Sequence, residues 1–155
     1  MNKQADDLWQ AYCGACNIEG PVPELDWFGD TPAMADELLA LVLSGTKQAT
    51  CELLRMFETK ADIPKLGDYW IITDGLKVPR CIIRTTHVDI RPVRSVDTKF
   101  AYDEGEGDRS LPYWKREHDA YFTRAGQNAG FTYTDGMDAV FEHFELVWPE
   151  LRTAP

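Results

Sequence analysis

Lys47 and Thr50, three apart in Gly45-Thr46-Lys47-Gln48-Ala49-Thr50, are the first residues whose types and spacing could do chemistry together. A hydroxyl becomes a nucleophile when a base removes its proton, and a lysine desolvated far enough to lose its own proton can serve as that base. A lysine on a loop between a helix end and a strand is equally well placed to meet an anionic ligand as a fixed charge. The second stretch is Asp103-Glu104-Gly105-Glu106-Gly107-Asp108-Arg109, in which four carboxylates crowd together with two glycines between them. Such charges repel one another unless a cation or a donor-rich ligand sits among them. Their spacing is not that of a calcium loop. A single carboxylate facing Lys47 is the more economical functional reading, because the two groups would tune each other's protonation. Trp114 and His118 stand at i and i+4 and therefore share one helix face. There the indole favours a core position over stacking on a nucleobase, and His118 favours a structural hydrogen bond over ligation. His87 and His143 fall in strand patterns with no visible partner.

These residues need elements to position them. Leu8, Trp9, Ala11, Tyr12 and Ala15 recur at helical spacing, predicting a helix over 6–17 that ends before Gly20-Pro21. Thr31-Pro32 is a strong helix start, a capping hydroxyl followed by proline at the first helical position, and Ala35, Leu38, Leu39, Val42 and Leu43 form its buried stripe up to Gly45. Alternation predicts strands over 49–56, 69–72 and 78–88. The Asp74-Gly75 pair forms a hairpin turn between the last two, and Pro92 interrupts the pattern. A short helix over 96–102 then leads into an acidic loop, Ser110 caps a long helix, and a final strand covers 139–148. Strands joined by short turns, with helices at the start and in the second half, predict an α+β fold built on a small mixed β-barrel with peripheral helices.

The net charge of −10 argues against bulk binding of nucleic acid. Its distribution is uneven: residues 1–40 carry −7, residues 41–99 carry +3 and residues 100–155 carry −6. The basic middle, Arg55 and Arg84 included, could line a local groove for an anionic ligand or lie scattered over a solvated surface. Cys13 and Cys16 have the spacing of a zinc or redox pair, but Cys51 and Cys81 stand alone and the pair falls at a helix end, so buried thiols are the expectation. The N-terminus has neither the basic flank nor the apolar run of a signal peptide, and there is no apolar stretch of membrane-spanning length, which predicts a soluble cytoplasmic protein.

Phe28-Gly29-Asp30, Ala35-Asp36-Glu37-Leu38, Gly45 to Thr50, Pro64-Lys65-Leu66-Gly67-Asp68, Glu104 to Ser110, Trp114 and His118, in this order and spacing, resemble the stand-alone bacterial ASCH-domain proteins of the PUA-like superfamily. The resemblance covers about residues 26–148. It implies a single PUA-like domain over 1–155, with an N-terminal helical extension over about 1–25, and a cleft suited to RNA or a nucleoside. Two activities come with it. One is ribonuclease action on single-stranded RNA, for which a divalent metal is the possible cofactor. The other is amidohydrolase removal of the acetyl group of 4-acetylcytidine by a lysine, a threonine and a glutamate. The resemblance places these three on Lys47, Thr50 and Glu104, with Glu106 as the neighbouring alternative carboxylate. Around them, Arg55, Trp70 and Arg84 from the middle third and Glu106, Arg109, Trp114 and His118 from the second half are the expected substrate-binding residues. RNA binding ranks first on the resemblance, acetylcytidine hydrolysis second, and a non-catalytic nucleotide-sensing module third.

Overall fold

The computed structural model describes residues 2–149. Helix α1 (Lys3–Cys16) starts where the Asn2 side chain accepts from the backbone N–H of Ala5, and it ends on Asn17 in the left-handed conformation. Strand β1 (Leu25–Asp26) is a short edge, and α2 (Pro32–Leu43) follows, capped by Thr31 with proline at the first turn. Strand β2 (Ala49–Leu53), β3 (Tyr69–Thr73) and β4 (Pro79–Pro92) precede α3 (Thr98–Glu104), α4 (Leu111–Ala129) and β5 (Asp138–Trp148). The five strands form one sheet in the order β1-β3-β4-β5-β2, antiparallel except for the parallel β1–β3 pair. The architecture is α+β as expected, but the expected barrel does not close: β1 and β2 are separate edges of an open sheet.

Alternation along β3 and β4 explains the packing. Ile71 and Ile82 face Trp9, Tyr12 and Cys13 of α1, whereas Ile72, Cys81 and Ile83 face Leu38, Leu39 and Val42 of α2. Burial on both faces is why this pair of strands is so uniformly apolar in sequence. A third cluster joins β2 and β5 to α3 and α4 through Phe100, Trp114, Phe122 and Phe141.

Helix α1 begins three residues before the expected 6–17 span and β1 takes the place of an expected loop, and three further boundaries bear on the site. β2 stops at Leu53, which pairs with Ala139 close to the start of β5, and residues 54–56 turn away as a single 3₁₀ turn. β4 runs on to Pro92 because β5 supplies partners as far as Asp138, and at the strand end the missing N–H of proline costs no ladder bond. α3 is shifted by two residues from the expected 96–102, starting at the Asp97 cap and ending at Gly105, so Asp103 and Glu104 lie on a helix instead of in a loop. The last shift matters most, since it gives Glu104 a fixed direction. The histidines are also better partnered than the sequence suggests: His143 Nε2 lies 3.0 Å from Asp103 and His87 Nε2 lies 3.0 Å from Asp89. All four cysteines are free, with Cys13, Cys51 and Cys81 buried and Cys16 exposed. No helix among the described residues is long and apolar enough to cross a membrane.

Candidate active site

The turn after α2 sets Lys47. Gly45 takes φ of 80°, and the backbone N–H groups of Thr46 and Lys47 both donate to the Leu41 carbonyl, which folds the lysine back beneath the helix end. Gln48 then donates to the Asp103 carbonyl and accepts from the Phe144 N–H, tying the loop to α3 and β5 at once. Gly105, at φ of 75°, ends α3 against this loop so tightly that a Cβ would stand 2.5 Å from the Thr46 carbonyl oxygen. Left-handed backbone and close approach both demand glycine there. Gly105→Ala is therefore expected to cost roughly 1–3 kcal/mol and to push Glu104 away from Lys47. A lower urea midpoint at unchanged slope, together with lost activity, would show it.

Inside this frame Lys47 is 2% exposed, and its ammonium donates to the Ala49 carbonyl at 2.7 Å and to Glu104 Oε2 at 3.3 Å. Glu106 Oε2 lies 3.7 Å from it, and the Phe28 ring centroid 5.2 Å. On the other side of Glu104, His118 Nε2 stands 3.3 Å from Oε1, while His118 Nδ1 faces the Trp114 carbonyl at 2.9 Å. A ring nitrogen facing a carbonyl must carry its proton, so the nitrogen facing the carboxylate is the one that titrates.

Protonation follows from these contacts. Burial disfavours the Lys47 ammonium, but Glu104 and then Glu106 outweigh it and hold the amine above its ordinary range. Burial would likewise drive the proton off His118, and Glu104 reverses this too. Glu104 is itself buried, yet Lys47 and His118 keep its carboxyl far below the usual carboxylate range. Glu106 is pushed the other way: burial, with Glu104 adding to it, raises it to about 7 against the pull of Lys47. At neutral pH the group that exchanges a proton is therefore Glu106, and Lys47 is a charged donor. Three acceptors around its ammonium favour Lys47 as a charged donor over the expected general base, since an ammonium has no lone pair to offer.

These residues open onto a cleft of about 630 Å³. Trp27, Phe28, Trp70, Ile72 and Ile83 supply apolar wall, and Thr50, Glu52, Tyr113, Tyr121 and Glu142 supply polar groups. Of the residues expected from sequence, Lys47, Thr50, Trp70, Glu104, Glu106 and His118 all line it. Thr50 is half-buried, and its hydroxyl makes no hydrogen bond among the described residues. The other four lie elsewhere. Arg55 sits 3.7 Å over the Phe131 ring and Arg84 5.7 Å over Tyr69, both outside the lining. Arg109 lies 3.5 Å over Tyr102 and donates to the Tyr102 carbonyl, bracing the turn that carries Glu106. Trp114 is core, with His118 stacked on its face at 3.8 Å, so no base can stack there. Of the ten cations in the basic middle third, the cleft lining includes Lys47 alone; an anion-binding groove does not form from them here. Sequence reasoning missed Glu142. Its signal was a lone charge within the apolar run of the last strand, where β5 is buried on four consecutive residues.

Glu104, Glu106 and His118 each offer a ligand atom within 4.8 Å of the others, a cluster that could hold a cation. The same carboxylates already flank the Lys47 ammonium, so a divalent ion would have to share the space with a buried positive charge. The set does not fit a resident divalent metal while Lys47 is charged.

Comparison with known proteins agrees with this architecture. A search among curated proteins gives no match. The crystal structure of an ASCH domain from Lactobacillus crispatus JV V101 superposes with a TM-score of 0.85 at 28% identity, covering 95% of this chain and 96% of that one. The protein EF3133 from Enterococcus faecalis V583 superposes with the same TM-score of 0.85 at 34% identity, covering 96% of this chain and 92% of its own. The hypothetical protein PH0355, at 13% identity and a TM-score of 0.53, shares the fold alone. The family model of the ASCH domain matches residues 24–148, and the chain belongs to that family, a PUA-like family proposed to bind RNA.

Proposed function

We propose that the cleft is a hydrolytic site that removes a small acyl group from the amine of an uncharged, nucleoside-sized compound, with 4-acetylcytidine as the first compound to test. The observation that carries this reading is the buried Lys47–Glu104–Glu106 group at the cleft wall, an ammonium held charged beside a carboxyl that titrates near neutrality. Glu106 takes a proton from water as the water oxygen bonds to the acyl carbon. The resulting oxyanion is stabilised by the Lys47 ammonium, whose contact to Glu106, at 3.7 Å, is the loosest of its three and yields most easily to a substrate oxygen. When the carbon–nitrogen bond breaks, the proton held by Glu106 passes to the leaving amine, giving a free amine and a carboxylic acid. Glu104, braced by His118, keeps Lys47 charged throughout.

Water is the better nucleophile here, because no base lies within hydrogen-bonding distance of the Thr50 hydroxyl among the described residues. Thr50 then serves as a hydroxyl donor to the substrate. A long polyanion is disfavoured by the lining, which carries nine carboxylates (Glu24, Asp26, Glu37, Glu52, Asp62, Glu104, Glu106, Glu117 and Glu142) against Lys47 and Arg124. Purified protein incubated with 4-acetylcytidine should release cytidine, followed by chromatography, and should bind short single-stranded RNA less tightly than it binds the nucleoside. Salt-sensitive RNA binding that depends on Lys47, without nucleoside turnover, would replace this reading with the RNA one. Ligand-dependent thermal stabilisation without turnover would leave a sensing module.

A further inference from the structure

We propose that Glu142 is the specificity-determining residue of the cleft, holding a heterocycle by the paired edge in which a ring nitrogen acceptor lies beside an exocyclic N–H, the edge of cytosine and not of uracil. The inference rests on the cleft taking a nucleoside-sized ligand.

Glu142 sits in the middle of β5, in register with Thr50 of β2 on one side and Val88 of β4 on the other, and it lines the cleft while being only 8% exposed. A carboxyl in such a place needs a reason, because burying it costs free energy that an apolar side chain would not. The protein gives it one hydrogen bond: the Thr85 hydroxyl donates to Oε2 at 2.7 Å. It forms no ion pair among the described residues, and its second oxygen has no protein partner. The groups that act on it are Thr85 and Lys47, which favour the charged form, and Asp26 and Asp68, which oppose it; burial is the largest influence and raises the carboxyl to about 7. Glu142 therefore spends much of its time near neutrality as an acid, with an O–H donor next to a carbonyl acceptor.

Two constraints fix the order of donor and acceptor. Thr85 is 1% exposed and its hydroxyl proton has no acceptor other than Glu142 Oε2 among the described residues, so Oε2 accepts and the proton of the neutral acid belongs on Oε1. The proposed reaction points the acylated nitrogen towards Lys47 and Glu106, so the ring cannot turn over to present a reversed edge. A ring nitrogen acceptor then meets Oε1–H while the neighbouring N–H meets Oε2, two parallel hydrogen bonds. Uracil has a donor at the ring nitrogen and meets the O–H head on. The apolar Trp70, Ile72 and Ile83 wall accommodates either ring and does not discriminate.

The test is binding of cytidine and of uridine by calorimetry to the full chain and to three variants, each checked for folding by thermal unfolding. The unaltered protein should favour cytidine by about 10- to 100-fold, the value of one satisfied pair against one unsatisfied one. Glu142→Gln, whose amide reproduces the neutral acid, should keep that ratio. Glu142→Leu should bring it to about 1, and Thr85→Val, which frees the donor order, should lower it. A ratio unchanged in folded Glu142→Leu overturns the proposal while leaving the hydrolytic reading standing. Selective binding without turnover overturns the hydrolytic reading and leaves this one. Binding of neither nucleoside overturns this proposal and leaves the hydrolytic reading to be decided by turnover.

Discussion

Lys47→Met should reduce hydrolysis by about 10²–10³-fold and destabilise the protein by about 3–5 kcal/mol. Both effects have one origin. The ammonium and the Glu104 carboxylate are each about 2% exposed, so removing the cation leaves a buried charge whose remaining partner is His118. Glu106, already raised to about 7, would lose the larger of the two influences that favour its ionisation, leaving His118, and would stay protonated further into the alkaline range. Methionine fills the same volume, so the loss would not come from a cavity. Urea unfolding measures the stability change and cytidine release the activity change. A variant with full stability would mean that the pair is not buried as described, and a variant with full activity would mean that Lys47 does not touch the reaction.

Glu106→Gln should remove about 10²–10⁴-fold of the rate, the usual worth of a positioned proton carrier, while leaving Lys47 and Glu104 paired. In the unaltered protein kcat/KM should rise with pH until about 7, where Glu106 becomes ionised, and then level off. The same group gives stability a defined slope. Its carboxyl in the folded protein lies above the ordinary value of 4.5, so its contribution to stability is complete below about 4.5 and is lost as pH rises towards 7. Glu106→Gln should therefore gain stability relative to the unaltered protein at pH 8 and show no such gain at pH 4. Thermal unfolding at the two pH values measures it, and equal differences at both would contradict the assignment.

Much of the site was legible before the fold. The Thr31-Pro32 start and the Gly45 stop determine where α2 releases the chain, and the local turn folds Lys47 back under the helix end, where α3 and β5 complete its burial. The carboxylate partner was legible only as a stretch: alternation cannot say which of Glu104 and Glu106 faces the lysine, and the structure sets both beside it, holding Glu104 far below the usual carboxylate range and raising Glu106 to about 7. The contacts that hold Lys47 charged were not legible, since two of its three acceptors lie more than fifty residues away. Neither was the position of the arginines. Arg55 and Arg84 are drawn to aromatic faces on the outer surface, and sequence charge counts carry no direction. Trp114 and His118 share a helix face as their spacing demands, but which of the two meets the cleft is decided by α4 packing its indole against Phe100 and Phe141.

The most direct measurement is the pH dependence of acetylcytidine hydrolysis by the purified protein beside Glu106→Gln. The account predicts cytidine and acetate in equal amounts, with a single rise in kcat/KM centred near pH 7 that disappears in the variant. No product above the Lys47→Met background, or a rise that persists unchanged in Glu106→Gln, would contradict it.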